Sequence, residues 1–149
     1  MHAILSDPRA MRFWSTMPHE TLAQSEAWFE SLLRPANSMH DEFVIVLGEV
    51  VIGKIGIWQM PEMGFILHPD HWGRGYASEA AAAFVRYVFK AHPIAALPAD
   101  IDPGNAASHG VLSKIGFVET GRAARTFNVG GAWSDSVYLG LRRGRLKPL

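Results

Sequence analysis

The first clear hydrophobic pattern of the chain lies between residues 21 and 33. Its leucine, tryptophan and phenylalanine side chains fall at helical spacings, and Thr21 and Gln24 stand at the two positions of a capping box. The pattern predicts a helix from Thr21 to Leu33.

From residue 42 onward the pattern changes from helical to strand-like. Two runs rich in β-branched residues, EFVIVL and VVIGKIGIW, are separated by Gly48 and Glu49. A two-residue turn with glycine first is typical of a β-hairpin, so these runs predict two antiparallel strands within residues 42–58. Residues 63–67, MGFIL, predict a third strand.

The second half of the chain alternates helical and strand patterns. Residues 77–89 place their apolar side chains on one helical face, and residues 106–115 predict a short helix that Gly116 ends. The runs IAALPADI, GFVETGR and SVYLGL predict further strands. This order indicates a mixed α and β protein, and a length of 149 residues predicts a single domain over residues 1–149.

Composition and charge narrow the expected partners. Fourteen Lys and Arg residues balance fourteen Asp and Glu residues, so bulk attraction to nucleic acid is not expected. No apolar run approaches the roughly 20 residues of a membrane span, and residues 1–14 carry charges that a signal peptide lacks. The absence of cysteine excludes disulfides and a cysteine nucleophile, and no His, Asp or Glu spacing is typical of a metal site. We expect a soluble, cytoplasmic protein with no metal, no nucleic acid and no membrane partner.

The stretch HPDHWGRGYASEA, residues 68–80, joins the third strand to the alanine-rich helix. A helix N-terminus leaves backbone N–H groups unpaired and carries partial positive charge, so it attracts phosphate groups. Gly73 and Gly75 let the backbone approach such a group closely, and Arg74 adds a charge. From these residues alone, an anion-binding loop and a simple tight turn both remain open.

Two longer segments carry a resemblance to a known family. MGFILHPDHWGRGYASEAAAAFVRYVF, followed by DPGNAASHGVLSKIGFVETGR, resembles the GNAT superfamily of N-acetyltransferases, and the resemblance extends over about residues 6–141. It is strongest to the RimJ/RimL-like branch, which acetylates the N-termini of ribosomal proteins. It implies the GNAT fold, an α/β (α+β) arrangement in which a mixed, mostly antiparallel sheet contains a central splayed parallel strand pair and is flanked by helices.

The same resemblance implies acetyl-CoA as the cosubstrate. In the family, backbone N–H groups of the loop before the long helix bind the CoA pyrophosphate, and the matching residues are Trp72, Gly73, Arg74, Gly75, Tyr76 and Ala77. The pantetheine arm lies between the splayed strands, where Ile66 and Leu67 are the candidates for backbone contacts. Pro98 lacks an N–H and would destabilise a central strand. The loss of stability is smaller beside a splayed gap, because the neighbouring strand is already too distant to bond. The alternative is that this segment is a loop and not a strand.

A catalytic role for two residues at the head of the short helix is also implied by the resemblance. Asn105 and Ser108 match the family's Asn-x-x-Ser, in which the asparagine contacts pantetheine and the serine reaches the CoA sulfur. We expect Ser108 to protonate or stabilise the departing thiolate. The alternative is a serine that only caps its own helix.

The general base is indicated less directly. The ribosomal-protein enzymes carry a glutamate on the strand after the GF pair, but the aligned residue here is Phe127, which cannot accept a proton. Glu62 and Asp135 are the candidate replacements, and the plain alternative for each is a solvated carboxylate. Nearby histidines can also act as bases, namely His68, His71 and His109.

The expected function is transfer of an acetyl group from acetyl-CoA to a primary amine by direct attack in a ternary complex. The amine belongs either to a protein N-terminus or to a small molecule. The alternative is a catalytically silent acyl-CoA-binding module or an interaction subunit; an ATP site is disfavoured because no Gly-x-x-x-x-Gly-Lys-Ser/Thr occurs. Four tryptophans have two possible roles, as the lining of an acceptor pocket or as part of the core: Trp14, Trp28, Trp58 and Trp133.

The resemblance further implies that the first edge strand of the fold is missing. Relatives begin with that strand, whereas this chain opens with MHAILSDPRAMRFW, in the equivalent of the first helix. EFVIVL would then form the edge of the sheet, where unpaired backbone groups favour pairing with another chain. We expect either a homodimer or an edge that the first residues cover.

Overall fold

The computed structural model describes residues 1–33, 40–59 and 61–149, except for the side chains of residues 58 and 59. The elements in this part of the chain are, in order, α1 (His2–Leu5), α2 (Pro8–Met11), α3 (Leu22–Leu33), β1 (Asp41–Leu47), β2 (Val50–Gln59), β3 (Glu62–Leu67), a 3-10 turn (Pro69–His71), α4 (Tyr76–Ala91), β4 (Ala96–Ile101), α5 (Ala106–Ile115), β5 (Val118–Val129) and β6 (Ala132–Arg142).

Local signals in the sequence correctly predict where several elements begin and end. The Gln24 N–H donates to Thr21 Oγ1 at 3.3 Å and the Thr21 N–H donates to Gln24 Oε1 at 3.2 Å, so the capping box of α3 is confirmed. Gly48 has φ of +61° in the β1–β2 turn, and Gly116 ends α5 with φ of +110°. Each glycine supplies a left-handed conformation that other residues avoid.

The six strands form two three-stranded antiparallel sheets. Their orders are β1-β2-β3 and β4-β6-β5. Strands β3 and β4 lie next to each other, yet no ladder of hydrogen bonds joins them. This break between neighbouring strands is the splayed pair that the resemblance implied, and Pro98 lies in β4. The strand prediction is therefore correct for residues 96–101 and begins two residues too early, and the loop alternative for Pro98 is wrong.

The closing hairpin is much longer than the sequence pattern predicts. The runs GFVETGR and SVYLGL cover only parts of β5 and β6, which extend to a turn at Gly130 and Gly131. The extension contains alanine, charged and polar residues without clear alternation, and a bulge lies between Ala123 and Phe127. The adjacent glycines are the sequence feature that could have predicted the position of this turn.

The main core lies between the sheets and helices α4 and α5. Its fully buried members include Val85 and Val88 of α4, Ile115 of α5, and Leu97 of β4. Because side chains alternate across a strand, the opposite face of β1–β3 needs a second cover. Helices α1 to α3 supply that cover through a smaller cluster around Ile66.

A buried ion pair lies under this N-terminal layer. Lys54 Nζ on β2 lies 2.6 Å from Glu42 Oε2 on β1, and the two side chains are 7% and 11% exposed. The ammonium also lies over the rings of Trp14 and Trp28, at 5.6 and 5.1 Å from their centroids. Burial lowers the pKa of Lys54, and the charge of Glu42 opposes that effect.

The first residues fold as two short helices and leave β1 at an edge. Asp7 caps α2 by accepting a hydrogen bond from the Arg9 N–H at 2.8 Å. Within the described residues, β1 is an edge strand, as expected. Four of its apolar side chains remain exposed, namely Phe43, Val44, Val46 and Leu47.

None of the helices in residues 1–33, 40–59 and 61–149 has the length and apolar character needed to cross a membrane.

Candidate functional site

The loop between β3 and α4 contains two glycines in the left-handed conformation. Gly73 has φ of +72° and Gly75 has φ of +86°; Gly75 occupies the N-cap position of α4. The first intrahelical bond runs from the Glu79 N–H to the Gly75 carbonyl at 3.0 Å, so the N–H groups of residues 76–78 have no intrahelical acceptor. A Cβ atom placed at either glycine meets no other atom within 4 Å. The loop therefore presents unpaired N–H groups beside open space.

Trp72 and Arg74 differ in what they contact. The Trp72 indole Nε1–H donates to the Leu67 carbonyl at 3.0 Å, and this bond ties the loop to the end of β3. Arg74 is exposed. It provides a positive charge next to the helix N-terminus, where an anion is already favoured.

The register of β3 distinguishes between the two candidates for backbone contacts. The His68 N–H donates to the Ile52 carbonyl at 2.8 Å, and in an antiparallel pair alternate residues direct their backbone groups to the same side. The groups of Ile66 are thus directed to its partner Lys54, and those of Leu67 to the side of β4. Leu67 is the residue whose N–H faces the gap between the sheets.

Helix α5 begins beside the end of β4. Asn105 is its N-cap, and Asn105 Oδ1 accepts a hydrogen bond from the Ser108 N–H at 3.1 Å. The cap is therefore the asparagine, and the alternative in which Ser108 caps the helix is wrong. Ser108 is half-buried, and the cap uses its backbone N–H and not its hydroxyl.

The two candidate carboxylate bases have different surroundings. Glu62 is the first residue of β3. The residue as a whole is exposed, but its carboxyl group is partly desolvated by the surrounding protein. That burial raises the pKa of Glu62, and the negative charge of Asp100 raises it further. Asp135 Oδ1 instead accepts a hydrogen bond from the Arg125 N–H at 2.9 Å. That bond holds the bulge of β5, where Arg125 has φ of +55°.

Sequence reasoning missed a half-buried carboxylate at Asp100. Asp100 Oδ2 accepts a hydrogen bond from Ser136 Oγ at 2.8 Å, and Ser136 Oγ lies 2.6 Å from Thr126 Oγ1. The signal was available in ALPADI, because Leu97 and Ala99 take the core positions and place the aspartate on the other face.

A pocket of about 300 Å³ lies next to this group, between the bulged hairpin and the turn before α5. It is lined by Pro103, Arg122, Ala123, Ala124, Asp135 and Ser136. Among the predicted aromatic residues, Trp133 is exposed and stacks under Arg125 at 5.2 Å. Trp14 and Trp28 cover Lys54 instead, and the side chain of Trp58 lies outside the described residues.

The candidate histidines lie around the loop and the head of α5. His68 Nδ1 accepts a hydrogen bond from the Asp70 N–H at 3.3 Å, and the His71 ring packs near Tyr76. His109 is exposed, with Nδ1 lying 3.4 Å from Ser113 Oγ. In the described part of the chain, no group of three or more His, Asp or Glu side chains is arranged to hold a metal ion.

Two antiparallel sheets that separate at β3 and β4, with a glycine loop leading into α4, define an α+β protein with an open helix N-terminus next to a strand gap. The model of the acetyltransferase (GNAT) domain family matches residues 1–118. The chain belongs to this family.

Two Bacillus subtilis proteins are among its relatives. The chain is 47% identical to YkkB over an alignment of 124 residues that covers 76% of this chain and 70% of YkkB. It is 32% identical over 93 residues to YnaD, named an uncharacterized N-acetyltransferase, and the match covers 62% of this chain. That match spans only 55% of YnaD, little more than half its length.

A solved structure supports the fold. The spermidine N-acetyltransferase from Vibrio cholerae, in complex with CoA and spermine, aligns with a TM-score of 0.79 and 19% identity. The alignment covers 97% of this chain and 88% of that one. The expected GNAT fold is therefore confirmed.

Proposed function

We propose that this protein is an acetyl-CoA-dependent N-acetyltransferase that acetylates a primary amine. The observation that supports this most strongly is the loop of residues 72–77, where Gly73 and Gly75 leave open space in front of the N–H groups of α4. A helix N-terminus with unpaired N–H groups suits a pyrophosphate. Family membership makes CoA the ligand that this chemistry fits.

The residues around the gap fit the rest of an acetyl-CoA molecule. The loop Trp72–Ala77 would hold the pyrophosphate, and the Leu67 N–H, directed to the gap, would bond the pantetheine arm. Asn105 and Ser108 lie at the head of α5, beside the end of β4. When bound, the cosubstrate supplies a thioester that an amine can attack.

The proposed reaction needs one proton acceptor and one proton donor. Glu62, whose pKa burial raises, takes a proton from the acceptor ammonium, directly or through water. The neutral amine attacks the thioester carbonyl, a C–N bond forms and the C–S bond breaks. Ser108 then donates a proton to the departing thiolate and regains one from the nitrogen of the new amide, or it hydrogen-bonds the thiolate while that second proton of the nitrogen leaves to solvent. Asp135 is the weaker candidate for the base because its carboxylate already binds the Arg125 N–H.

The acceptor class follows from the charges at the site. Glu62 and Asp100 are carboxylates on either side of the gap, and they favour a cationic ammonium over a neutral or acidic group. A small amine and a protein N-terminus both satisfy this chemistry. The closer placement in the RimJ/RimL-like branch stays a proposal that is based on the two sequence segments.

The function can be tested by measuring CoA thiol release from acetyl-CoA with a panel of amines and N-terminal peptides. Mass spectrometry of each acceptor would then identify a mass increase of one acetyl group. Acetylation of at least one amine supports the proposal. Calorimetric binding of CoA without turnover on any acceptor would instead support the silent acyl-CoA-binding module.

A further inference from the structure

Two histidine rings share one buried serine hydroxyl within the N-terminal layer of helices α1 to α3. His2 Nδ1 and His19 Nδ1 each lie 2.8 Å from Ser25 Oγ. His2 belongs to α1, Ser25 to α3, and His19 to the segment that joins α2 to α3. Ser25 is 4% exposed, so water has little access to it. The three side chains therefore tie separate parts of this layer together.

The number of hydrogens in this cluster determines the protonation state that it fits. A serine hydroxyl has one hydrogen to donate, and each imidazole nitrogen either donates or accepts. With both rings neutral, Ser25 donates to one ring and accepts the Nδ1–H of the other, so all three groups are paired. A proton added to the accepting ring makes its nitrogen a second donor, and the serine hydrogen loses its acceptor. The cluster thus fits two neutral rings.

Two protonated rings in this arrangement would also repel each other. Both Nδ1 atoms contact the same oxygen, so the two rings cannot separate while both contacts last. Burial lowers the pKa of His19, and the charge of His2 lowers it further. The folded layer therefore disfavours a proton on His19 by geometry and by charge.

The charged groups packed around the cluster have other partners or face solvent. The His19 ring packs edge-on against an indole, that of Trp28, and the ammonium of Lys54 lies over the same indole at 5.1 Å. Glu42, from β1, binds that ammonium at 2.6 Å. On α2, the Asp7 carboxylate binds the guanidinium next to it in the helix. The acidic residues of the segment 19–33 are all exposed, namely Glu20, Glu26 and Glu30.

The layer that this cluster holds together covers the outer face of the first sheet. Ile4 and Leu5 of α1 are buried in one cluster with Ile66 of β3. We propose that His2, Ser25 and His19 form a pH-sensitive switch: with both rings neutral they hold α1 and the segment after α2 against α3, and protonation releases this layer. The inference is independent of the proposed function.

The direction of the pH effect follows from the protons that each state binds. In the open layer the solvated His19 ring has the ordinary histidine pKa of about 6.5. In the closed layer the pKa of His19 is lower. The open layer therefore takes up the proton first, so the closed layer is fully favoured above about pH 6.5 and loses stability as the pH falls below that value.

The first test measures His19 directly in the full-length, untagged protein. Ring-proton NMR shifts are titrated in the wild type, in His2→Asn, whose amide can still bond Ser25 but does not titrate, and in His109→Asn. The His19 titration should move to higher pH in His2→Asn, because a neighbouring positive charge is lost. His109 is exposed on α5, so its removal is the matched control and should leave the titration in place. An unmoved His19 titration in His2→Asn would overturn the inference.

The second test measures the opening of the layer by hydrogen exchange at pH 7.5 and pH 5.5. Protection factors correct for the intrinsic exchange rate at each pH, and the amides of α4 (Tyr76–Ala91) are the internal reference. In the wild type, protection in residues 2–11 and 19–28 should fall on the order of tenfold relative to α4. A solvated imidazole is about tenfold more often charged than neutral one pH unit below its pKa, and this gives the size of the effect.

Two variants decide what causes this loss of protection. The double variant His2→Asn with His19→Asn should keep the same relative protection at both pH values, whereas His109→Asn should lose it as the wild type does. If the double variant is already open at pH 7.5, His19→Asn alone takes its place and is expected to keep its protection. A wild type that stays protected at pH 5.5, or a loss that the asparagine variants share, would refute the switch.

Discussion

Gly75 is the N-cap residue of helix α4 and has φ of +86°, and Gly131, in the β5–β6 turn, has φ of +88°. A Cβ atom meets nothing within 4 Å at either position. Alanine should therefore cost a similar roughly 1–2 kcal/mol of stability at both, because the left-handed conformation is unfavourable for L residues.

The two glycines should differ in their effect on CoA binding. Gly75→Ala places a methyl group where phosphate must approach, so we predict a loss of CoA affinity of about tenfold or more, about 1.4 kcal/mol. Gly131→Ala is the control for backbone strain and should bind CoA as the wild type does. Isothermal calorimetry measures both affinities. Equal CoA affinities in the two variants would show that this loop does not bind the pyrophosphate.

Ser108 provides a second prediction for a single residue. Ser108→Ala removes the hydroxyl but keeps the backbone N–H that Asn105 binds, so the cap of α5 remains. If Ser108 protonates the thiolate, kcat should fall by about 10²-fold with KM little changed. Ser113→Ala, in the same helix, is the matched control and should retain kcat. Steady-state kinetics that find equal kcat for Ser108→Ala and the wild type would exclude the proton-donor role.

At the scale of elements, the ion pair between Glu42 and Lys54 joins β1, β2 and the N-terminal helices. Removing one partner leaves a charge in a buried position, so Glu42→Gln should lower the free energy of unfolding by about 3 kcal/mol. The double variant Glu42→Leu with Lys54→Met removes both charges and should recover most of that loss.

An exposed pair provides the comparison for this prediction. Glu119→Gln removes the partner of Arg122, and the two side chains are 39% and 64% exposed, so the expected loss is below about 1 kcal/mol. Urea denaturation measures all three variants. A Glu42→Gln variant no less stable than Glu119→Gln would show that the ammonium finds adequate stabilisation from Trp14 and Trp28.

At the scale of the whole molecule, the position of β1 at the edge of its sheet determines the oligomeric state that we expect. Among the residues that the structure describes, none pairs with the outer edge of β1, and the strand carries exposed apolar side chains; such edges favour pairing with a second copy. We predict a homodimer with a mass about twice the 16.4 kDa of the chain. Val46→Lys should convert it to a monomer, whereas Val118→Lys, on the edge strand of the other sheet, should not. Light scattering at micromolar concentrations measures this; a wild-type species near 16.4 kDa would refute the dimer.

Several parts of the fold were accessible from the sequence because they depend on neighbouring residues. The capping box at Thr21, the turn at Gly48 and the end of α5 at Gly116 follow from backbone preferences within a few positions. The same holds for the glycine loop before α4, the part of the candidate site that the sequence indicates most clearly. The full length of β5 was not accessible, because its bulge is set by pairing with β6 and not by its own pattern.

What the sequence determined by itself is the order of helices and strands, the position of the glycine loop before α4 and the resemblance of two segments to a family. Only the tertiary structure decided which distant side chains meet. Asp100 and Ser136 are 36 positions apart, and strand register alone brings their oxygens to 2.8 Å. Likewise, only the structure shows that Asp135 accepts a hydrogen bond from the Arg125 N–H and that the Leu67 N–H is directed to the gap. Hydrophobic periodicity specifies which face of a strand is buried, whereas contacts between polar atoms depend on register and on the separation of the sheets, which no local pattern encodes.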